Sequence, residues 1–406
     1  MNNNISQALV SHSVLPAAIN LLLPIVLVLF ILSSALTCLT GGGAVGDIVL
    51  IVGCLLALGV FLLDGDFNVF KRNSLIVLLV LYSISYSFYQ FEFESFKNTV
   101  AMTCMVIVFL FCAKYGVYIT SNVVLMRTLC LLSFVTGVIA ANSIISKNIV
   151  GAVFFYFFIL SFLCFSCSLI RYSAVKVNVL FAAIIMIFIM YSYLSGFRSM
   201  LLYALLLMVC YFLFLSNYHR RFRNAIPIFI VTFIFGLIML YVNINDWAIG
   251  ETLNYLFEER TGRQFSSGRQ VLWAILVEYA AEQPLFGYGP SALMSNFTGE
   301  ELSAHNYYIQ LVIQLGMVGL IMLMIWLWLI WESFVYSDGP KYIVALGAAC
   351  LVVFVIHNSL EVLMFQNGTI AAIPAWILIG LTYSVAATTN RLNNPTFIKK
   401  VILLKD

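Results

Sequence analysis

The feature that most constrains this chain is a succession of apolar runs, each close to the roughly 20 residues a helix needs to cross the hydrocarbon core of a bilayer. They lie at 15–39, 46–63, 74–91, 98–117, 121–142, 149–170, 177–194, 199–216, 225–245, 306–333, 342–357 and 369–388. The links between them are short, so only 246–305 leaves room for a sizeable hydrophilic segment. The expected fold is all-α, a polytopic transmembrane helical bundle of about 12 spans with one large periplasmic loop containing short helices. Residues 1–406 then form a single integral membrane domain, and 246–305 is the loop between spans 9 and 10.

Composition excludes the other broad classes. Charged residues make up 9% of the chain, against about 25% in a soluble globular domain. Nucleic-acid binding would need a basic stripe on a folded soluble face, which this sequence lacks, so no nucleic acid is expected as a partner. The bilayer itself is the first partner. The first run, 15–39, exceeds a signal-peptide core and lacks a cleavage site, so it is expected to stay as an anchor. All nine cysteines fall in apolar stretches, and Cys164 and Cys167 read as small apolar packing residues.

Lys and Arg positions set the orientation. With the N-terminus inside, fourteen of the twenty fall on cytoplasmic links and the tail. Lys97, Lys147, Arg198, Arg260, Arg263 and Arg269 fall outside. The expectation is therefore a bacterial inner (cytoplasmic) membrane protein with both termini cytoplasmic and its chemistry at the periplasmic face.

The unusual residues collect at that outer face. Segment 246–305 carries three arginines against eight carboxylates, so an arginine that binds an anion there must do so by local geometry rather than bulk charge. Ser267-Gly268-Arg269-Gln270 has the pattern of a capping box. Val271, Leu272, Ile275, Leu276 and Tyr279 continue it as a helical stripe up to Pro284. Arg269 then occupies a first helical turn, where unpaired N–H groups favour an anion. Pro284-Leu285-Phe286-Gly287-Tyr288-Gly289-Pro290 reads as a rigid turn, and His305-Asn306 enters the next span. Gly316 and Gly319 in that span predict a close helix approach.

Arg198 lies between two spans with almost no loop around it. An arginine at membrane depth costs about 2.5–3.5 kcal/mol on insertion scales, which marks a functional candidate; the bland alternative is a side chain that snorkels to the headgroups. His357 sits beside Asn358 with Glu361 near and reads as a helix-end residue. Asp64-Gly65-Asp66 has the look of a metal-binding pair, but it falls in a short cytoplasmic link with no nucleotide-binding fold around it.

Taken in order, Gly-x-Arg-Ser at Arg198, Gly268-Arg269 to Trp273, Pro284 to Gly289, and His305-Asn306 followed by Gly316 and Gly319 resemble the Wzy/WaaL family. These are bacterial O-antigen polymerases and O-antigen ligases, and the resemblance covers roughly 195–320. It implies a metal-independent membrane glycosyltransferase acting on polyprenyl-diphosphate-linked oligosaccharides, without a cofactor. A chain-length regulator and a flippase are the protein partners it implies. By that resemblance the catalytic positions are His305, Arg269 and Arg198. Arg263, Arg260 and Asn306 are expected to bind substrate.

The residue types suit such a reaction. A departing lipid diphosphate needs charge stabilisation, which the always-charged guanidinium fork supplies. A sugar hydroxyl needs a base, and imidazole is poised near neutral pH. Polymerase and ligase share the leaving group, so these residues do not separate them. Twelve spans would also suit a secondary transporter, but the single large loop after span 9 breaks the two-half symmetry expected there, and no acidic residue lies mid-span.

Overall fold

The computed structural model describes residues 15–40, 44–147, 152–168, most of 179–190, 198–244, 269–299, 303–365 and 369–392, with scattered positions between 247 and 259. Among the described residues the regular structure is entirely helical. The long helices are α1 (Ala17–Thr40), α2 (Ala44–Asp64), α3 (Ser74–Gln90), α4 (Phe93–Ser121), α5 (Val123–Lys147) and α6 (Ala152–Ser168). After them come α7 (Arg198–Leu215), α8 (Ala225–Asn243), α9 (Arg269–Glu282), α10 (Tyr307–Val335), α11 (Lys341–His357) and α12 (Thr369–Leu392).

Seven of these helices hold segments long and apolar enough to cross a bilayer, and shorter apolar helices occur at Ser74–Gln90, Phe155–Cys164, Leu201–Leu215 and Lys341–His357. Eleven of the twelve expected spans therefore coincide with a helix, and about 12 spans fits this architecture. The described residues of the remaining span, 177–194, are helical as well.

The bundle is built around α4 and α12. Of the apolar window in α12, 94% is buried, against 17% for α8, so α12 is the central post and α8 a peripheral one. Phe109 of α4 sits among Trp326, Trp376 and Tyr383, with ring centroids 5.1, 5.6 and 5.5 Å away. In a bilayer, close packing of this kind replaces the hydrophobic effect as the force between helices.

The two ends of the bundle differ in charge. At one end, Lys114 forms an ion pair with Asp64 at 2.5 Å and lies 3.9 Å from Asp66. Tyr115 donates its hydroxyl hydrogen to Asp64. The Asp64-Gly65-Asp66 link is thus occupied by a lysine ammonium, which ties α2 to α4. Arg220, Arg221, Arg223 and Lys341 belong to this end too, at the feet of α7, α8 and α11. The opposite end gathers the start of α9, the N-terminus of α10 and the C-terminus of α11.

Candidate active site

Three segments distant in sequence meet at that second end. Arg269 is the first residue of α9. His305 immediately precedes Asn306, the N-cap of α10. Glu361 lies in the turn that follows α11. His305 Nδ1 is 3.1 Å from Glu361 Oε2, and the guanidinium of Arg269 is 3.5 Å from Glu361 Oε1. One carboxylate thus engages the imidazole and the guanidinium with different oxygens. The three side chains remain partly open, at 39%, 22% and 26% exposure for His305, Arg269 and Glu361.

Each is held by its neighbours. Asn306 Oδ1 accepts the N–H groups of Tyr308 and Ile309, closing the first turn of α10. Its Nδ2 donates to the Ser359 carbonyl, and the Tyr307 N–H donates to the Asn358 carbonyl. These bonds join the start of α10 to the turn that carries Glu361. Asn306 is fully buried, so it lies beneath the cluster and positions His305 rather than lining the open side. His305 itself has φ +48, a left-handed conformation uncommon outside glycine and asparagine. On the other side, the buried Trp273 donates its indole N–H to the Ala304 carbonyl at 2.8 Å. Trp273 is one helical turn beyond Arg269, so this bond sets α9 against the residue preceding His305. It ties the two ends of the Gly268–Trp273 run to the approach of His305.

Pro284 to Pro290 forms the next layer. Gly316 breaks α10 with φ +66 and ψ −171. The backbone groups freed by the break are taken up by the Pro284–Gly289 loop. Tyr288 and Gly289 N–H donate to the Ile313 and Gln314 carbonyls, and Met317 and Val318 N–H donate to those of Pro284 and Leu285. Tyr82, Tyr86 and Gln90 of α3 clasp the loop from outside through the Phe286, Gly287 and Tyr288 carbonyls. The close approach expected at Gly316 and Gly319 is therefore corrected. A loop, not a helix, enters at Gly316, because a Cβ there would run into the Leu285 carbonyl. A Cβ at Gly319 would come nearest to Leu315 of α10 itself, 2.6 Å from its Cβ.

The electrostatics favour an ionised Glu361. Partial burial on its own would push this carboxyl up. The hydrogen bond and charge of His305, with Arg269 and His357, outweigh that and hold it below its usual value. An ionised carboxylate can only accept, so Nδ1 carries the proton and donates to Glu361. In the tautomer that this bond selects, Nε2 is the ring nitrogen left to act on a substrate.

Of the six residues singled out in the sequence, Arg269 and His305 come together and Asn306 supports them. Arg198 opens α7, though its side chain lies outside the described residues, as do Arg260 and Arg263 altogether. Helix α7 reaches this end through Tyr203, whose ring lies 4.0 Å from that of His357 at an interplanar angle of 33°. His357 is fully buried and accepts or donates at Nδ1 with the Tyr156 hydroxyl, so it packs under the site. Glu361 is the residue that sequence reasoning left aside. The available signal was a carboxylate one turn past a span end, beside His357 and Asn358.

The fold and this cluster define a polytopic helical membrane protein with a carboxylate–imidazole–guanidinium site at one end of its bundle. Residues 181–324 match the Wzy_C family, described as O-Antigen ligase, which supports the resemblance to the Wzy/WaaL family over that stretch. The matched residues include Arg198, Arg269 and His305 and stop short of Glu361. No curated protein matches the chain.

Proposed function

We propose that this protein is a polymerase of O-antigen or a related surface polysaccharide. It transfers a glycan from polyprenyl diphosphate onto a lipid-linked repeat unit at the periplasmic face of the inner membrane, with 246–305 as a periplasmic loop and both termini cytoplasmic. The observation that carries the reading is Glu361 bridging His305 and Arg269, two residues that fall within the stretch matching the Wzy_C family.

In this mechanism His305 Nε2 removes the proton from an acceptor sugar hydroxyl as the oxygen attacks the anomeric carbon of the donor. The new glycosidic C–O bond forms while the bond from that carbon to the diphosphate oxygen breaks. Both electrons of the broken bond leave on the lipid diphosphate. Arg269 uses one edge of its fork on Glu361 and has further N–H donors for the diphosphate; Arg198 is assigned to the same anion. Glu361 fixes the imidazole tautomer and balances the charge gained when His305 is protonated, as carboxylates do in other His-centred sites. Arg260 and Arg263 are assigned to the saccharide or phosphate groups. No metal enters this scheme. A chain-length regulator and a flippase are the partners such a polymerase would need.

The family's own description, O-Antigen ligase, favours a second reading in which the acceptor is the lipid A core. A lipopolysaccharide gel from a clean deletion separates them. Core bearing a single repeat, with the ladder lost, is the polymerase result. Bare core, with polymer accumulating on the lipid carrier, is the ligase result.

A further inference from the structure

Far from His305, an apolar groove of about 390 Å³ runs between α8, α10 and α11, walled by residues such as Pro227, Ile230, Trp328, Trp331, Leu351 and Val355. Its lining is almost wholly apolar, and it separates the peripheral α8 from the rest of the bundle. A volume in this range suits a ligand-sized guest rather than a packing defect.

The groove has a basic mouth. Trp331 donates its indole N–H to the Arg223 carbonyl at 2.8 Å, which places Arg223 directly at the groove's end. The Arg223 guanidinium lies 5.5 Å over the Tyr336 ring and bonds to the Tyr336 hydroxyl. Arg221 is nearby and lies over Phe222. Among the described residues neither Arg221 nor Arg223 is in an ion pair, whereas Arg220 is paired with Asp338 at 2.8 Å. The stretches 217–224 and 332–341, joined at this end by the Arg220–Asp338 pair, carry Arg220, Arg221, Arg223 and Lys341 against Glu332 and Asp338, an excess of two positive charges. An apolar slot with surplus arginines at its rim is complementary to a lipid with an anionic head.

We propose that this groove holds an anionic phospholipid, one acyl chain lying in the slot and the phosphate resting on Arg221 and Arg223. The position excludes the glycan donor of the proposed reaction as occupant. Beyond the break at Gly316, the stretch from Met317 to Trp331 alone rises about 21 Å at roughly 1.5 Å per residue, and His305 lies at the far end of α10 from Trp331, so a head at Arg223 is at the opposite membrane surface from His305. The lipid belongs to the leaflet on the basic side, where juxtamembrane Lys and Arg attract anionic headgroups. Seated there, it fills the gap behind α8. That helix also packs on α9 through Tyr241 and Trp273, whose rings are 4.9 Å apart. The inference is independent of the reaction assigned above.

Trp328 and Trp331 are built-in reporters. The full-length protein is reconstituted in phosphatidylcholine bilayers and titrated with phosphatidylglycerol carrying brominated acyl chains, which quench tryptophan on contact; brominated phosphatidylcholine is the control. Brominated phosphatidylglycerol should quench at lower mole fraction than the control, and Trp328→Phe should remove much of that selective component. Arg223→Gln and Arg221→Gln should each weaken the preference roughly fivefold, Arg223→Lys should retain most of it, and unlabelled polyprenyl phosphate should compete poorly. Each variant's quenching by the control lipid reports that the fold is intact. Equal quenching by the two lipids, a preference untouched by both Gln variants, or displacement by polyprenyl phosphate ahead of phosphatidylglycerol would overturn the proposal.

Discussion

Glu361 Oε2 and His305 Nδ1 lie 3.1 Å apart although 56 residues and two complete helices, α10 and α11, separate them in sequence. The contact exists because α10 and α11 form an antiparallel pair whose site-facing ends are joined by Asn306 to Ser359 and Tyr307 to Asn358 bonds. If Glu361 orients the base, Glu361→Gln should lower turnover by roughly 10²-fold while leaving the donor KM within a few-fold. Steady-state rates on a lipid-linked oligosaccharide, at matched expression, measure this. A drop confined to KM would instead make Glu361 a substrate contact.

The same carboxylate gives a pH signature. Its value in the folded protein is lowered from an ordinary 4.5, so the ionised form stabilises the fold fully above about that pH. The stabilisation is lost as pH falls through the lower folded value. Thermal midpoints in detergent should therefore show wild type above Glu361→Gln at pH 6, the gap closing as pH drops from 5 towards 3. A gap that widened with acid would mean that Glu361 is not held ionised by His305 and Arg269.

Much of this fold could be read directly from the apolar runs, because a bilayer demands length and hydrophobicity that no other structure imitates. Arg269 and His305 were also legible, since motif order along one loop kept them together. Glu361 was not, because nothing local distinguishes a carboxylate at a span end from any other headgroup-level charge; its meaning comes from a partner two helices away in sequence. Gly316 misled for a related reason. Small residues spaced along a span look the same whether a helix or a loop fills the space they leave. Only the neighbouring Leu285 and Phe286 backbone tells the two apart.

That difference is testable at Gly316. Its φ and ψ belong to a region that is nearly glycine-only, and a Cβ would collide with Leu285. Gly316→Ala should cost about 2 kcal/mol or more. Gly319→Ala would bring its Cβ to 2.6 Å from the Leu315 Cβ and should also destabilise, but by less, because Gly319 lacks the positive φ that Gly316 adopts. Thermal unfolding in detergent compares them, and equal effects would contradict a loop-filled break.

Trp273 is the next anchor. Replacing it with Phe keeps most of the packing but leaves the Ala304 carbonyl without its donor, a loss of about 1–3 kcal/mol. Because that bond aligns α9 with His305, Trp273→Phe should also reduce turnover more than it weakens donor binding. Unchanged stability and kinetics together would remove the indole from the account.

The proposed sidedness can be checked without any assay of function. A single cysteine placed at position 262 in a cysteine-free background should react with a membrane-impermeant maleimide added outside intact spheroplasts. Labelling only after the membrane is opened would invert the orientation and move the site to the cytoplasm.

The most direct test of the central claim uses the purified full-length protein in bilayers, given a synthetic repeat unit on polyprenyl diphosphate and no added metal. Longer lipid-linked glycans should appear, with one polyprenyl diphosphate released per bond formed. His305→Ala and Arg269→Ala should each abolish both products. Elongation by the two variants at near wild-type rate, or the absence of any transfer by a folded wild type, would contradict glycosyl transfer at the His305–Glu361–Arg269 cluster.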